Sequence, residues 1–142
     1  MDSNQLNEFL QIPLHATVGT TRADGSPQLS PVWYIYENGL FYISITKNTA
    51  KYRNLQRDPR ISLCIDGGRE DLRTVMVSGT VEIIEKGDPR QRPIQGRLIQ
   101  HYIADPTAAK QYAEESADWE SILLIVTPWK VITQNFQESS KS

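Results

Sequence analysis

The sequence predicts a mainly β fold, an antiparallel barrel with a few short peripheral helices. Three observations carry that prediction. Apolar runs rich in aromatic and β-branched residues, each of strand length, recur along the chain. Turn signals separate them, among them Ala23-Asp24-Gly25, Asn38-Gly39 and Gly67-Gly68, so hairpins join most neighbours. Strands do not alternate with long helical patterns, which argues against a parallel α/β sheet.

Taken in order, residues 1–10 read as a short helix capped by Asp2-Ser3, with Leu6, Phe9 and Leu10 at helical spacing and Pro13 beyond its end. Leu14 to Thr21 is the first strand. Ser26 to Tyr36 is the second and the most aromatic, and Pro31 inside it predicts a bulge or a sheet edge. Asn38-Gly39 turns the chain into a third strand, Phe41 to Ile45. Thr46-Lys47-Asn48-Thr49 then breaks the apolar run, and Thr49 or Asn48 can cap a helix from Ala50 to Arg57. Asp58-Pro59 stops that helix, because proline disfavours helical geometry in the residue before it.

Ile61 to Asp66 is the next strand. Arg73 to Glu85 is a long one, with Gly79 marking a bend or bulge. Lys86 to Pro93 reads as a connection, and a helical pattern runs from Ile94 through Leu98 and Tyr102 to Asp105-Pro106. A second helix follows from Thr107 to about Glu115, capped by Asp105 or Thr107. Trp119 to Val126 and Trp129 to Phe136 read as strands interrupted by Pro128, and the last six residues as a frayed polar tail. The total is six or seven strands in one domain spanning residues 1–142, without repeats or an internal linker.

Composition excludes several function classes. A net charge of -2 gives no overall basic field for nucleic acid. Cys64 is the only cysteine, so internal disulfides and thiolate metal clusters are excluded. Its place in an apolar run predicts a reduced, buried and inert thiol. No apolar run reaches membrane-spanning length and no signal peptide is visible, which predicts a cytoplasmic protein.

The chemistry centres on the helix at Ala50. A helix opening directly after a strand aims unpaired backbone N–H groups at one spot, and that spot favours an anion. Thr49 and Lys51 lie in its first turn, with Arg53 and Asn54 one turn on, a donor set that suits a phosphate. Surface helices also carry solvated lysines and arginines, and neither GxxxxGK[ST] nor GxGxxG occurs. The residues alone leave a phosphate site and a plain surface turn both open.

Side-chain catalysis has little support. His15 and His101 lack the spacing of a metal site, no HExxH or GxSxG is present, and Glu114, Glu115, Asp118 and Glu120 read as a solvated helix end. Chemistry here, where there is any, needs a cofactor.

The run GSPQLSPVWYIYENGLFYISITKNTAKYRNLQRDPRISL resembles the split-barrel flavoproteins related to pyridoxamine 5′-phosphate oxidase. The most specific parts are Pro31-Val32-Trp33 and the T-x-x-x-A-K-x-x-N-L spacing from Thr46 to Leu55. The resemblance covers Ala16 to about Glu85 well and the remainder loosely. It implies a six-stranded antiparallel split barrel that pairs as a homodimer, with two cofactor sites at the subunit interface.

By position, it implies that Lys51 and Asn54 bind the cofactor phosphate, with Thr46, Thr49 and Ala50 lining the same turn. Pro31, Val32 and Trp33 match the segment along which a flavin ring lies, and Ser44 and Ile45 the adjoining strand. Trp119, Trp129 and Lys130 match, loosely, the region where a partner chain closes the site; for Trp33 and Trp129, plain core packing or a dimer contact weighs equally.

The implied activity is an oxidoreductase acting on a small organic substrate with FMN. A deazaflavin (coenzyme F-420) reductase, or a non-catalytic FMN- or haem-binding protein, is the alternative. Thr49 stands where the deazaflavin branch often has arginine, which leans towards FMN, although Arg53 or Lys47 could supply that charge. The chain lacks the C-terminal extension and substrate-binding basic residues of true pyridoxamine phosphate oxidases, so that specific activity is not expected.

Overall fold

The computed structural model describes residues 1–136. The six-residue polar tail expected to fray, Gln137 to Ser142, lies outside the described residues. Helix α1 spans Ser3–Leu10 and is closed by a reciprocal cap: Asp2 accepts the Gln5 N–H at 2.8 Å and Gln5 Oε1 accepts the Asp2 N–H at 2.9 Å. Strands β1 (Ala16–Thr21), β2 (Pro27–Val32), β3 (Tyr34–Glu37) and β4 (Leu40–Thr46) follow, then helix α2 (Ala50–Arg57). Strands β5 (Arg60–Asp66) and β6 (Arg73–Ile84), helices α3 (Gln91–Tyr102) and α4 (Pro106–Glu115), and strand β7 (Ser121–Asn135) complete the order.

The seven strands form one antiparallel sheet in the order β2-β1-β5-β6-β7-β4-β3. Strands β2 and β3 therefore occupy opposite edges, yet only Trp33 lies between them. Two Cα–Cα steps reach at most about 7.6 Å. The sheet must curl until its edges lie side by side, and the chain crosses the resulting seam at Trp33. This is the antiparallel split barrel expected from the sequence, with seven strands where the resemblance implied six. The aromatic run expected as one strand changes partners, with Val32 opposite Ala16 of β1 and Tyr34 opposite Ile43 of β4. Pro31 lies on an edge strand, as its missing N–H requires.

The final strands needed correction in the same way. Pro128 does not divide them, and β7 runs unbroken over 15 residues. Its register against β6 slips instead: Ser78 faces Lys130 and Gly79 faces Pro128, which makes Trp129 the extra residue of a bulge. Gly79 is required there, because a Cβ would sit 2.6 Å from the Thr127 carbonyl oxygen of the neighbouring strand. Strand β7 also starts at Ser121 rather than Trp119, which lies in a turn. Helix α3 begins at Gln91, three residues before the apolar pattern does. Pro93 is tolerated because first-turn N–H groups have no helix partner to lose.

The core fills the inside of the curled sheet. Tyr34, Phe41, Ile43, Leu63, Ile65, Val75, Ile122 and Leu124 are all buried there, and Phe9 and Leu10 of α1 join them. Strand β4 alternates, with Phe41, Ile43 and Ile45 buried and Ser44 and Thr46 on the opposite face. That outer face is where α3 and α4 pack, and it is where the candidate site lies.

Candidate functional site

The start of α2 is built by the turn before it. Thr49, rather than Asn48, is the cap: its hydroxyl accepts the Tyr52 N–H at 3.4 Å and donates to the Thr46 carbonyl at 2.8 Å. Thr46 Oγ1 donates to Asn48 Oδ1 at 2.9 Å. The Arg53 N–H reaches the Thr49 carbonyl. The N–H groups of Ala50 and Lys51 are the first-turn donors left without a helix partner.

Lys51 is half-buried, and burial holds its ammonium below the ordinary lysine range. No carboxylate pairs with it among the described residues. Arg53 is exposed one turn on. This end of α2 thus presents an ammonium and two backbone donors with no acceptor to match them among the described residues. The set fits a phosphate group.

Asn54 has a different place. It is 6% exposed, and its Nδ2 donates to Thr20 Oγ1 at 3.1 Å and Gln28 Oε1 at 3.0 Å, while its Oδ1 accepts from Arg57 Nη2 at 3.1 Å. The amide therefore ties α2 to β1 and β2 and holds the helix start in position.

A hollow of about 150 Å³ lies between the outer face of β4 and helices α3 and α4. Trp33, Ser44, Ile45 and Thr46 line it, which brings together four of the ten residues expected at a cofactor. A wider open cleft of about 580 Å³ adjoins it, lined by Thr46, Lys47, Asn48, Trp119 and Glu120, so Thr46 and Trp119 face both. Thr49, Ala50, Lys51 and Asn54 line neither space; the first three stand at the helix start that Thr46 leads into. Val32 turns its side chain into the core, leaving its backbone for any outer-face ligand, and Pro31 is exposed beside it.

Trp119 lines both spaces within its own chain. Trp129 and Lys130 lie far along β7, exposed, with Trp129 67% accessible in the protomer.

Sequence reading missed the inner wall of the hollow. Gln95, Tyr112, Ser116 and Ser121 line it from α3, α4 and the start of β7. Gln95 Oε1 is buried without a partner among the described residues. One turn earlier, Gln91 Nε2 donates to the Ser121 carbonyl at 2.6 Å. The available signal was two glutamines four apart on the face of α3 that also carries Leu98 and Ile99.

Also missed was Tyr102. Its ring stacks on Trp33 at 4.6 Å and 3°, and its hydroxyl donates to the Leu14 carbonyl at 2.6 Å and accepts the Tyr34 N–H at 3.0 Å. Burial pushes its pKa up to about 12, so the phenol stays protonated. The ring thus fixes Trp33 at the seam, and Trp33 rather than Tyr102 lines the hollow.

Among solved structures, a conserved hypothetical protein from Mycobacterium tuberculosis superposes with a TM-score of 0.82 at 21% identity, covering 99% of this chain and 88% of that one. An F420 reductase matches at 0.68 and 24% identity, over 89% and 94% of the two chains. The haem storage protein HutZ from Vibrio cholerae matches at 0.73 and 13%, over 94% and 93%. At these identities the likeness is one of fold. The family model for pyridoxamine 5′-phosphate oxidase matches residues 3–132, nearly the whole described length. The curled seven-stranded sheet, the seam at Trp33 and that match agree, and the chain belongs to the pyridoxamine 5′-phosphate oxidase family.

Proposed function

We propose that this protein is an FMN-dependent oxidoreductase acting on a small organic substrate, assembled as a homodimer. The observation that carries the cofactor reading is Lys51, a half-buried ammonium with no carboxylate partner among the described residues, at a helix start with unmatched N–H donors. Such a site is stabilised by a dianionic phosphate. Lys51 and the N–H groups of Ala50 and Lys51 hold the phosphate, Thr49 and Thr46 shape the turn, and Trp33 and Ser44 flank the ring end. FMN supplies the hydride chemistry when bound. The chain's own part is to place the ring beside a partly dry aromatic hollow and keep water from one side of it.

The dimer is supported by the second half of β7. Trp129, Val131 and Ile132 are exposed there, as are Phe136 just past its end and Leu72 just before β6, whose backbones are hydrogen-bonded to each other. Several large apolar side chains left exposed close together in sequence support an interface here. We expect an obligate-type contact above about 2,000 Å² in total. Sedimentation at micromolar concentration should give a dimer, and Trp129→Lys should shift it towards monomer; a wild-type monomer refutes the assembly.

A deazaflavin reductase is the second reading, favoured by the exposed Arg53 near Lys51, which offers a further cation for a longer anionic tail. The visible spectrum and mass of the co-purifying small molecule separate the two cofactors. The residue-level test is Lys51→Ala. Losing a charge-assisted hydrogen bond of roughly 1.5–3 kcal/mol should weaken FMN about ten- to two-hundredfold. Riboflavin, with the same ring and no phosphate, should lose far less. Equal losses for both ligands would take Lys51 out of the phosphate site.

A further inference from the structure

Two spaces of different size and chemistry meet at one bulky side chain. The hollow under α3 and α4, about 150 Å³, has no charged residue on its lining among the described residues. A cavity of that size admits one benzene-sized ring. The cleft beside it is about 580 Å³ and carries Lys47 and Glu120. Thr46 and Trp119 stand on both linings, and Trp119 is by far the larger of the two.

The place of Trp119 follows from its turn. Its N–H donates to the Ser116 carbonyl at 3.0 Å, and its carbonyl accepts from the Ser121 N–H at 2.8 Å and from Lys86 Nζ at 3.3 Å. Lys86 Nζ also donates to the Ala117 carbonyl at 3.1 Å, and the Lys47 N–H donates to the Glu120 carbonyl at 2.9 Å. The turn is thus pinned to the segments just after β6 and β4. With its backbone taken up in this way, what Trp119 offers the two spaces is its indole. That ring stands edge-on to Tyr112, which lines the hollow and not the cleft, with centroids 6.0 Å apart. The residue is nonetheless 49% exposed. One side of the indole therefore meets the hollow and another the open cleft.

We propose that Trp119 is the specificity-determining residue of this site, a partition that limits the part of a substrate entering the hollow to a single uncharged ring. A second ring joined to the first would have to pass through the space the indole fills. A charged group would be desolvated in the hollow without compensation and stays in the cleft, where Lys47 and Glu120 stand. That the ring belongs to a substrate rests on the flavin reading above; the size limit itself does not.

The probes are benzyl alcohol and 4-biphenylmethanol, which share a head group and differ by one ring. Each is titrated against the purified protein while the indole N–H signal of Trp33, on the hollow's lining, is followed by NMR. Benzyl alcohol should move that signal in the wild type. The biphenyl probe should bind at least about tenfold more weakly, against the gain its extra apolar surface would otherwise bring. In Trp119→Ala the order should invert, with the biphenyl probe tighter by about tenfold or more. Trp119→Phe keeps a ring at the partition and should keep the wild-type order, and circular dichroism checks the fold of both variants. Benzyl alcohol should still bind the wild type saturated in FMN.

No response of Trp33 to either probe, tighter binding of the biphenyl probe by the wild type, or an unchanged order in Trp119→Ala would overturn the partition. Inversion in Trp119→Phe as well would trace the effect to a loosened turn and overturn it too. Displacement of benzyl alcohol by FMN would give the hollow to the cofactor and overturn the substrate assignment alone. Failure of FMN to bind at all would overturn the flavin reading and leave the size limit standing.

Discussion

Removing one oxygen atom from Tyr102 tests how the barrel seam is held. Tyr34 begins β3, where its N–H and C=O point away from β4 towards the seam. Both lie 3.0 Å from the Tyr102 hydroxyl, which also reaches the Leu14 carbonyl at 2.6 Å, two residues before β1. One phenol thus joins β3, one edge of the sheet, to the segment that leads into β1. Tyr102→Phe keeps the ring stacked on Trp33 and deletes only the oxygen. The Tyr34 N–H, in a residue 0% exposed, then has no acceptor, and the Leu14 carbonyl loses its donor.

Leaving buried groups of this kind unsatisfied costs about 1–3 kcal/mol. At this chain length each kcal/mol moves the melting temperature by roughly 2–4 °C, so a drop of about 2–12 °C is expected. The assay is thermal and urea unfolding by circular dichroism at one fixed protomer concentration, since assembly would shift both. The urea slope should not change, because the same surface is exposed on unfolding. Tyr112→Phe is the control: its ring also packs against Trp33 and makes no side-chain hydrogen bond among the described residues, and it should be neutral. A Tyr102→Phe protein within about 0.3 kcal/mol of wild type would refute the reasoning and leave the seam open to water.

Three further outcomes are expected. Gly79→Ala should destabilise by about 1–3 kcal/mol in urea unfolding, since its methyl meets the Thr127 backbone oxygen at 2.6 Å and a strand must shift; an unchanged midpoint refutes this. FMN affinity should fall at alkaline pH earlier than an ordinary lysine would allow. The protonated Lys51 is the binding form, so affinity is full below its pKa and lost as pH rises through it, and burial has moved that pKa below the usual value of about 10.4. Fluorescence titrations carried from neutral into alkaline pH should show the fall for FMN, beginning below the usual lysine range, and not for riboflavin. Asn54→Leu should cost about 2–4 kcal/mol of stability, because Thr20, Gln28 and Arg57 all lose a buried partner, and the same unfolding assay reads it.

Much of this molecule was legible in its sequence for local reasons. The Asn38-Gly39 turn, the edge proline at Pro31, the cap at Thr49 and the bulge at Gly79 each follow from one residue's backbone chemistry. Where reading failed, the decisive partner lay far along the chain. Nothing between Ser26 and Tyr36 says that β1 stops pairing at Val32 and β4 starts at Tyr34, so the broken strand was invisible. Pro128 looked like a stop because its bulge is made by Gly79, forty-nine residues earlier. The candidate site divided along the same line. Its cradle is one continuous segment, Thr46 to Lys51, and could be read. The inner wall draws Gln95, Tyr112 and Ser121 from three elements, and only the packing of α3 and α4 on β4 assembles it.

The placement of β2 and β3 at the two edges bears on how the protein avoids its own kind of clumping. An edge strand offers unpaired backbone groups to any passing strand, and long flat edges invite fibrous association. Here one edge carries Pro27 and Pro31, which have no N–H to offer, and the other is only four residues long. Folding the two edges together at Trp33 hides most of what remains. A variant that pries them apart, by loss of the Tyr102 hydroxyl or of the Trp33 ring, should therefore become prone to aggregate before it loses its secondary structure.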